Sequence, residues 1–190
     1  MTPDEILDLA TVIPVVVIDD PDEAVPLARG LVAAGMPAIE ITLRTPAALT
    51  AIANIASDVP EARVGAGTVL NPRQGERALD HGATFLVSPG ATRALLDAQL
   101  PLLPGVATAS EVMALLERGL TAAKFFPAEA SGGIPALRAF AGPFPLVRFC
   151  PTGGIDAAKA PDYLALPNVA CVGGSWMLRA SSTRGIAAAV

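Results

Sequence analysis

Val12-Ile13-Pro14-Val15-Val16-Val17-Ile18 leads into Asp19-Asp20-Pro21-Asp22 and then into a helical run over residues 23–34 that stops at Gly35. The first part is short, apolar and β-branched, the pattern of a strand buried on both faces. The middle offers a helix cap, and the glycine ends the helix. The same beat returns along the whole chain. Further strands are expected at residues 38–42, 63–67, 84–87, 101–106, 122–126, 146–150 and 168–172. Helices are expected at residues 46–57, 72–82, 91–98, 110–118, 134–140 and 156–164. Strands that alternate with helices must pair in parallel through crossovers. Eight such units are the number that closes a barrel. The expected fold is therefore α/β, a (β/α)8 TIM barrel forming one domain over residues 1–190. An extra helix over residues 3–10 would plug the barrel bottom, and the pattern weakens after Trp176, so the last helix is expected to be shortened. A doubly wound open sheet is the alternative.

Composition supports a buried core and narrows the partners. The chain has 190 residues, 52% of them hydrophobic and 16% charged, enough apolar surface to offset the entropy of ordering. A net charge of −5 argues against a nucleic-acid or membrane-surface binder, which needs a basic face. No apolar run reaches the roughly 18 residues of a membrane span. Met1-Thr2-Pro3-Asp4-Glu5 lacks a signal-peptide pattern, so the cytoplasm is the expected compartment. Two cysteines and one histidine cannot build a disulfide framework or a His/Cys metal cluster, and no metal or other cofactor is expected.

A barrel of this kind carries its chemistry at the carboxyl ends of its strands. There the sequence places Glu40, Arg44, Thr68, Ser88, Lys124, Thr152 and Ser175. Lys124 stands out, because the chain has two lysines against eleven arginines and one lysine lies within the apolar run Ala-Ala-Lys-Phe-Phe. Arginine does not give up its proton, whereas a desolvated lysine can do so and form an imine. The bland alternative is a buried salt bridge to Glu40. Glu40 alternates with Ile39 and Ile41 in a strand that has no other reason to hold a charge, and one carboxylate near the lysine suffices for proton transfer. Its own bland reading is neutralisation by Arg44.

Glycine-rich turns form the third feature. Pro151-Thr152-Gly153-Gly154 and Val172-Gly173-Gly174-Ser175 follow the seventh and eighth strands, where this architecture habitually binds phosphate through backbone amides. Thr68 would either hydrogen-bond a carboxylate or cap the next helix. The remaining candidates read as structural: His81 at a helix end, Cys150 and Cys171 as buried thiols, Trp176 as packing and Lys159 as a solvated helix residue.

Five runs of the sequence resemble the 2-keto-3-deoxy-6-phosphogluconate (KDPG) aldolase family. They are Ile-Glu-Ile-Thr-Leu-Arg-Thr at 39–45, Val-Gly-Ala-Gly-Thr-Val-Leu-Asn-Pro at 64–72, Lys-Phe-Phe-Pro-Ala-Glu at 124–129, Arg-Phe-Cys-Pro-Thr-Gly-Gly-Ile at 148–155 and Gly-Gly-Ser-Trp at 173–176. The resemblance implies a metal-independent class I aldolase that splits the phosphorylated keto acid into pyruvate and glyceraldehyde 3-phosphate. It implies Lys124 as the Schiff-base nucleophile and Glu40 as general acid/base, with Arg44 and Thr68 on the pyruvate carboxylate. Gly153, Gly154, Gly174 and Ser175 would hold the phosphate, and Thr152 would touch the substrate hydroxyls. It further implies a homotrimer, the Entner–Doudoroff pathway and cleavage of 4-hydroxy-2-oxoglutarate. Family members usually continue further in a last helix. A barrel subunit kept as an assembly scaffold, with activity incidental or lost, is the reading from a different class.

Overall fold

The computed structural model describes residues 1–179, and the expected remnant of a last helix at 185–190 lies outside them. The strands are β1 (Val12–Val16), β2 (Ala38–Thr42), β3 (Arg63–Gly67), β4 (Phe85–Val87), β5 (Leu102–Leu103), β6 (Gly105–Val106), β7 (Ala122–Phe125), β8 (Arg148–Pro151) and β9 (Val172–Gly174). The helices are α1 (Pro3–Leu7), α2 (Ala24–Ala33), α3 (Ala48–Asp58), α4 (Pro72–Asp80), α5 (Arg93–Asp97), α6 (Ala109–Leu116), α7 (Gly133–Ala141) and α8 (Ala160–Leu164). All ladders among the described residues are parallel, in a six-stranded sheet β5-β4-β3-β2-β1-β9 and a three-stranded sheet β6-β7-β8. Isolated bridges Phe149↔Val169 and Thr152↔Gly173 link the β8 side to the β9 side. The result is a curled, TIM-barrel-like α/β sheet.

Three boundaries depart from the sequence expectation in ways the structure explains. The expected strand at 101–106 is cut in two by Pro104, which has no N–H to donate. Its carbonyl still accepts from the Lys124 N–H at 2.9 Å, so β5 pairs back to β4 while β6 pairs onward to β7. The expected strand at 168–172 yields a ladder only from Val172 onward. Asn168 is used otherwise: its carbonyl accepts from the Phe149 N–H at 2.8 Å, and its buried side-chain amide donates to the Leu137 carbonyl at 2.8 Å. The helix expected from 156 begins only at Ala160, because the Asp156 carboxylate accepts from the Ala158 and Lys159 N–H groups and holds a turn there.

Strand alternation divides the core into two layers. On β2, Ile39 and Ile41 pack outward beneath the helices, while Ala38 belongs to an inner cluster with Ile13, Phe85, Leu103, Cys150 and Cys171. α1 closes that inner cluster at the amino ends of the strands. It starts with a capping box between Thr2 and Glu5 and buries Ile6 and Leu7 almost completely. Outside, Asp8 pairs with Arg148 at 2.5 Å, and Thr121 donates to Asp4 at 3.1 Å. The hydrogen bond from Arg148 holds the Asp8 carboxyl below its usual range. No helix among the described residues is long and apolar enough to cross a membrane.

The two kinds of contact made by α1 are expected to differ in strength. Ile6→Ala leaves a cavity in the inner cluster and should cost about 2–5 kcal/mol. Asp8→Asn breaks only a solvated ion pair and should cost less than about 1 kcal/mol. Urea unfolding of the two variants checks the contrast.

Candidate active site

Lys124 and Glu40 meet on the inner face. Ala123 and Phe125 face the outer layer, which turns Lys124 inward from β7, and Ile39 and Ile41 do the same for Glu40 on β2. Although 84 residues apart in sequence, they bring Nζ to 3.2 Å from Oε1 and 3.3 Å from Oε2. Lys124 is 5% exposed and Glu40 4%. Gly67, level with Thr42 in the β2–β3 register, makes the pair possible, since a Cβ there would overlap the Glu40 carboxylate. The salt bridge considered as the bland reading is thus present. It is also the arrangement from which an amine can pass its proton to a carboxylate.

Beside the pair, which does not itself line it, opens a cleft of about 190 Å³, lined by Val15, Val17, Arg44, Phe126, Thr152, Gly153, Gly154, Ile155, Gly174 and Ser175. Phe126 connects the two, with the Lys124 ammonium 5.3 Å from its ring centroid, within cation–π range. Six of the expected residues therefore share one cleft: Arg44, Thr152, Gly153, Gly154, Gly174 and Ser175. Arg44 is exposed and makes no ion pair among the described residues, so its guanidinium is available to an anion. Its turn is pinned on both sides, as Thr42 donates to the Val16 carbonyl at 3.0 Å and Thr45 to the Ile18 carbonyl. Gly153 and Gly154 have φ of 105° and 79°, backbone that glycine enters without the steric cost other residues pay.

Thr68 and Ser88 do not line the cleft. Thr68 follows Gly67 with φ 58°, a strained conformation for a β-branched residue. Its capping alternative falls, because Asn71 caps α4 by accepting from the Gln74 N–H at 3.0 Å. Ser88 is fully buried, and its hydroxyl has no partner among the described residues. His81 ends α4, exposed, with Nδ1 2.7 Å from the Arg77 carbonyl. Cys150 and Cys171 are free, buried thiols. The neighbouring Cys150 and burial push the Cys171 thiol well up. Trp176 packs against the outer core.

Lys159 is exposed, as expected, and is also paired. Its ammonium lies 2.5 Å from Glu129 Oε2 and donates to the Gly154 carbonyl at 3.0 Å. Sequence reading also passed over Val15, Val17 and Ile155. Phe126 belongs to the apolar run that the sequence places around Lys124, two residues beyond it. Glu129 and Tyr163 gave no comparable signal.

Breaking one side of the buried pair leaves an uncompensated charge. Lys124→Met or Glu40→Gln alone should cost about 3–5 kcal/mol, and the double variant clearly less than the sum of the two. Urea unfolding of the three proteins measures that coupling.

The family model described as "Aldolase: KDPG and KHG aldolase" matches residues 4–187. The KHG/KDPG aldolase of Escherichia coli K12 is 52% identical over 183 residues, covering 94% of this chain and 86% of its own. The KDPG aldolase of Zymomonas mobilis ZM4, solved with 3-phosphoglycerate, superposes with a TM-score of 0.93 at 49% identity, over 98% of this chain and 91% of its own. The Legionella pneumophila KDPG aldolase, solved with pyruvate captured at low pH as a covalent carbinolamine intermediate, gives 0.94 at 45% identity, over 99% of this chain and 96% of its own. A buried lysine–carboxylate pair beside an anion-receptive cleft is what such chemistry requires, and the chain belongs to the KDPG and KHG aldolase family.

Proposed function

We propose that the protein is a class I aldolase that reversibly cleaves 2-keto-3-deoxy-6-phosphogluconate to pyruvate and glyceraldehyde 3-phosphate, and also accepts 4-hydroxy-2-oxoglutarate. The observation that carries this reading is the Lys124–Glu40 pair, buried beside a cleft whose rim offers a free guanidinium and glycine turns.

Glu40 takes a proton from the Lys124 ammonium, and the free amine attacks the substrate C2 carbonyl to give a carbinolamine. Glu40 then protonates the departing hydroxyl, which leaves as water, and the imine forms. As Glu40 removes the proton of the C4 hydroxyl, the C3–C4 bond breaks. Its electron pair moves into the iminium as an enamine, and the aldehyde is released. Protonation at C3 and hydrolysis return pyruvate and the free lysine. The imine itself serves as the electron sink, so this sequence needs no metal ion. Arg44, together with Thr68, fixes the plane of the pyruvate carboxylate through a bidentate guanidinium. The N–H groups of Gly153 and Gly154, with Gly174 and Ser175, receive the distal phosphate, and Thr152 contacts the hydroxyls. The similarity to a Zymomonas enzyme solved with 3-phosphoglycerate supports a phosphorylated ligand.

The reading extends to the assembly. The chain is read as a single (β/α)8 barrel domain that trimerises and acts in the cytoplasm, and the β5–β6 junction and the β8–β9 bridges support that closure. Light scattering on the purified chain tests the trimer.

Borohydride reduction in the presence of pyruvate should add a reduced pyruvate to Lys124, read by intact mass and peptide mapping. Lys124→Arg should give no adduct and lose more than about a thousandfold in cleavage. Glu40→Gln should lose roughly 10²–10⁴-fold. A folded wild-type protein left unmodified at Lys124 would overturn the assignment.

A further inference from the structure

The carbonyls of the Thr152–Gly154 turn are all held from the side away from the cleft. Thr152 O accepts from the Ala128 N–H at 2.8 Å, Gly153 O from the Glu129 N–H at 3.1 Å and Gly154 O from the Lys159 ammonium at 3.0 Å. Behind that row the Glu129 carboxylate joins the parts. One oxygen accepts from Lys159 at 2.5 Å, and the other accepts a short hydrogen bond from the Tyr163 hydroxyl. Packing there is close: a Cβ on Gly154 would lie 2.7 Å from Glu129 Cγ, and one on Gly133 would lie 2.9 Å from the Tyr163 hydroxyl. The hydrogen bonds from Lys159 and Tyr163 keep the Glu129 carboxyl ionised below its usual range. Burial, with the adjacent carboxylate, pushes the Tyr163 phenol up.

Such a cluster is a poor device for stability. Glu129 and Lys159 are both substantially exposed, and solvated ion pairs contribute little to folding. Its geometry has a clearer consequence. With three consecutive carbonyls held in place, the orientation of the peptide groups of the turn that lines the cleft is fixed. Glu129 also follows β7, the strand that carries Lys124, so the cluster ties the turn after β8 to the strand of the nucleophile.

We infer that Glu129, Lys159 and Tyr163 form a clamp that positions the Thr152–Gly154 turn for the substrate's distal phosphate, and so set the preference for phosphorylated over unphosphorylated keto acids. The inference rests on the aldolase reading above. The three are positioning residues and touch no substrate atom.

The experiment compares kcat and KM for 2-keto-3-deoxy-6-phosphogluconate and for 4-hydroxy-2-oxoglutarate in wild type, Lys159→Met, Lys159→Arg and Tyr163→Phe. Lys159→Met should raise KM for the phosphorylated substrate about tenfold, the scale of a lost hydrogen bond to a charged group. It should leave kcat/KM for the unphosphorylated one within about twofold. Tyr163→Phe should shift the same KM in the same direction by a smaller factor, and Lys159→Arg should restore most of it. Equal losses on both substrates would mark a merely structural role and overturn the inference, as would no change on either. A wild type that cleaves neither substrate would overturn the aldolase reading and the clamp with it. A wild type that cleaves both, with variants that move both alike, overturns the clamp alone.

Discussion

Everything around the inner face answers to one difficulty, the burial of an ammonium and a carboxylate among apolar side chains. Two charges removed from water lose several kcal/mol of hydration each, and they persist only when each is the other's partner at close range. Glu40 and Lys124 meet that condition at 3.2 Å, but only because Gly67 has no side chain to occupy the carboxylate's place. The β2–β3 register that sets Gly67 level with Thr42 is therefore as much a part of the site as the charged residues. A chain selected for stability alone would do better with two leucines there. That the costly pair adjoins a cleft through Phe126 is the physical reason to assign it chemistry rather than support.

The rim solves a different problem. An anion reaching the cleft needs donors that are already oriented and not satisfied elsewhere. Arg44 is kept free of carboxylates, while threonines on either side anchor its turn to the end of β1. At the opposite wall the donors are main-chain amides, which cannot rotate away as side chains do. Their direction depends on where the neighbouring carbonyls are held, and residues remote from substrate thereby acquire influence over it.

How much of this the sequence discloses depends on the kind of partner each residue has. Glu40 and Lys124 are legible because a charge inside an alternating apolar strand has no ordinary explanation. The glycine pairs are legible because they recur after consecutive strands. Lys159 was not, since its partners are a carbonyl and a carboxylate delivered by a distant loop, and a helix-end lysine looks the same whether it is clamped or solvated. Pro104 shows a related limit: an apolar run fits one strand, and only the missing N–H, weighed against two neighbouring strands, divides it. The left-handed backbone at Thr68 is hidden for the converse reason, because threonine is among the residues least expected there.

α1 has a consequence for traffic. With Ile6 and Leu7 sealed against the inner cluster, the curled sheet is a cup and not a pipe. Substrate, product and the water lost or gained at the carbon centre must all pass through the same opening. A bound keto acid therefore blocks the route by which bulk solvent would reach the lysine. Hydrolysis can proceed only with water admitted past the ligand or trapped beneath it, so departure of the aldehyde fragment becomes the event that lets the next water in.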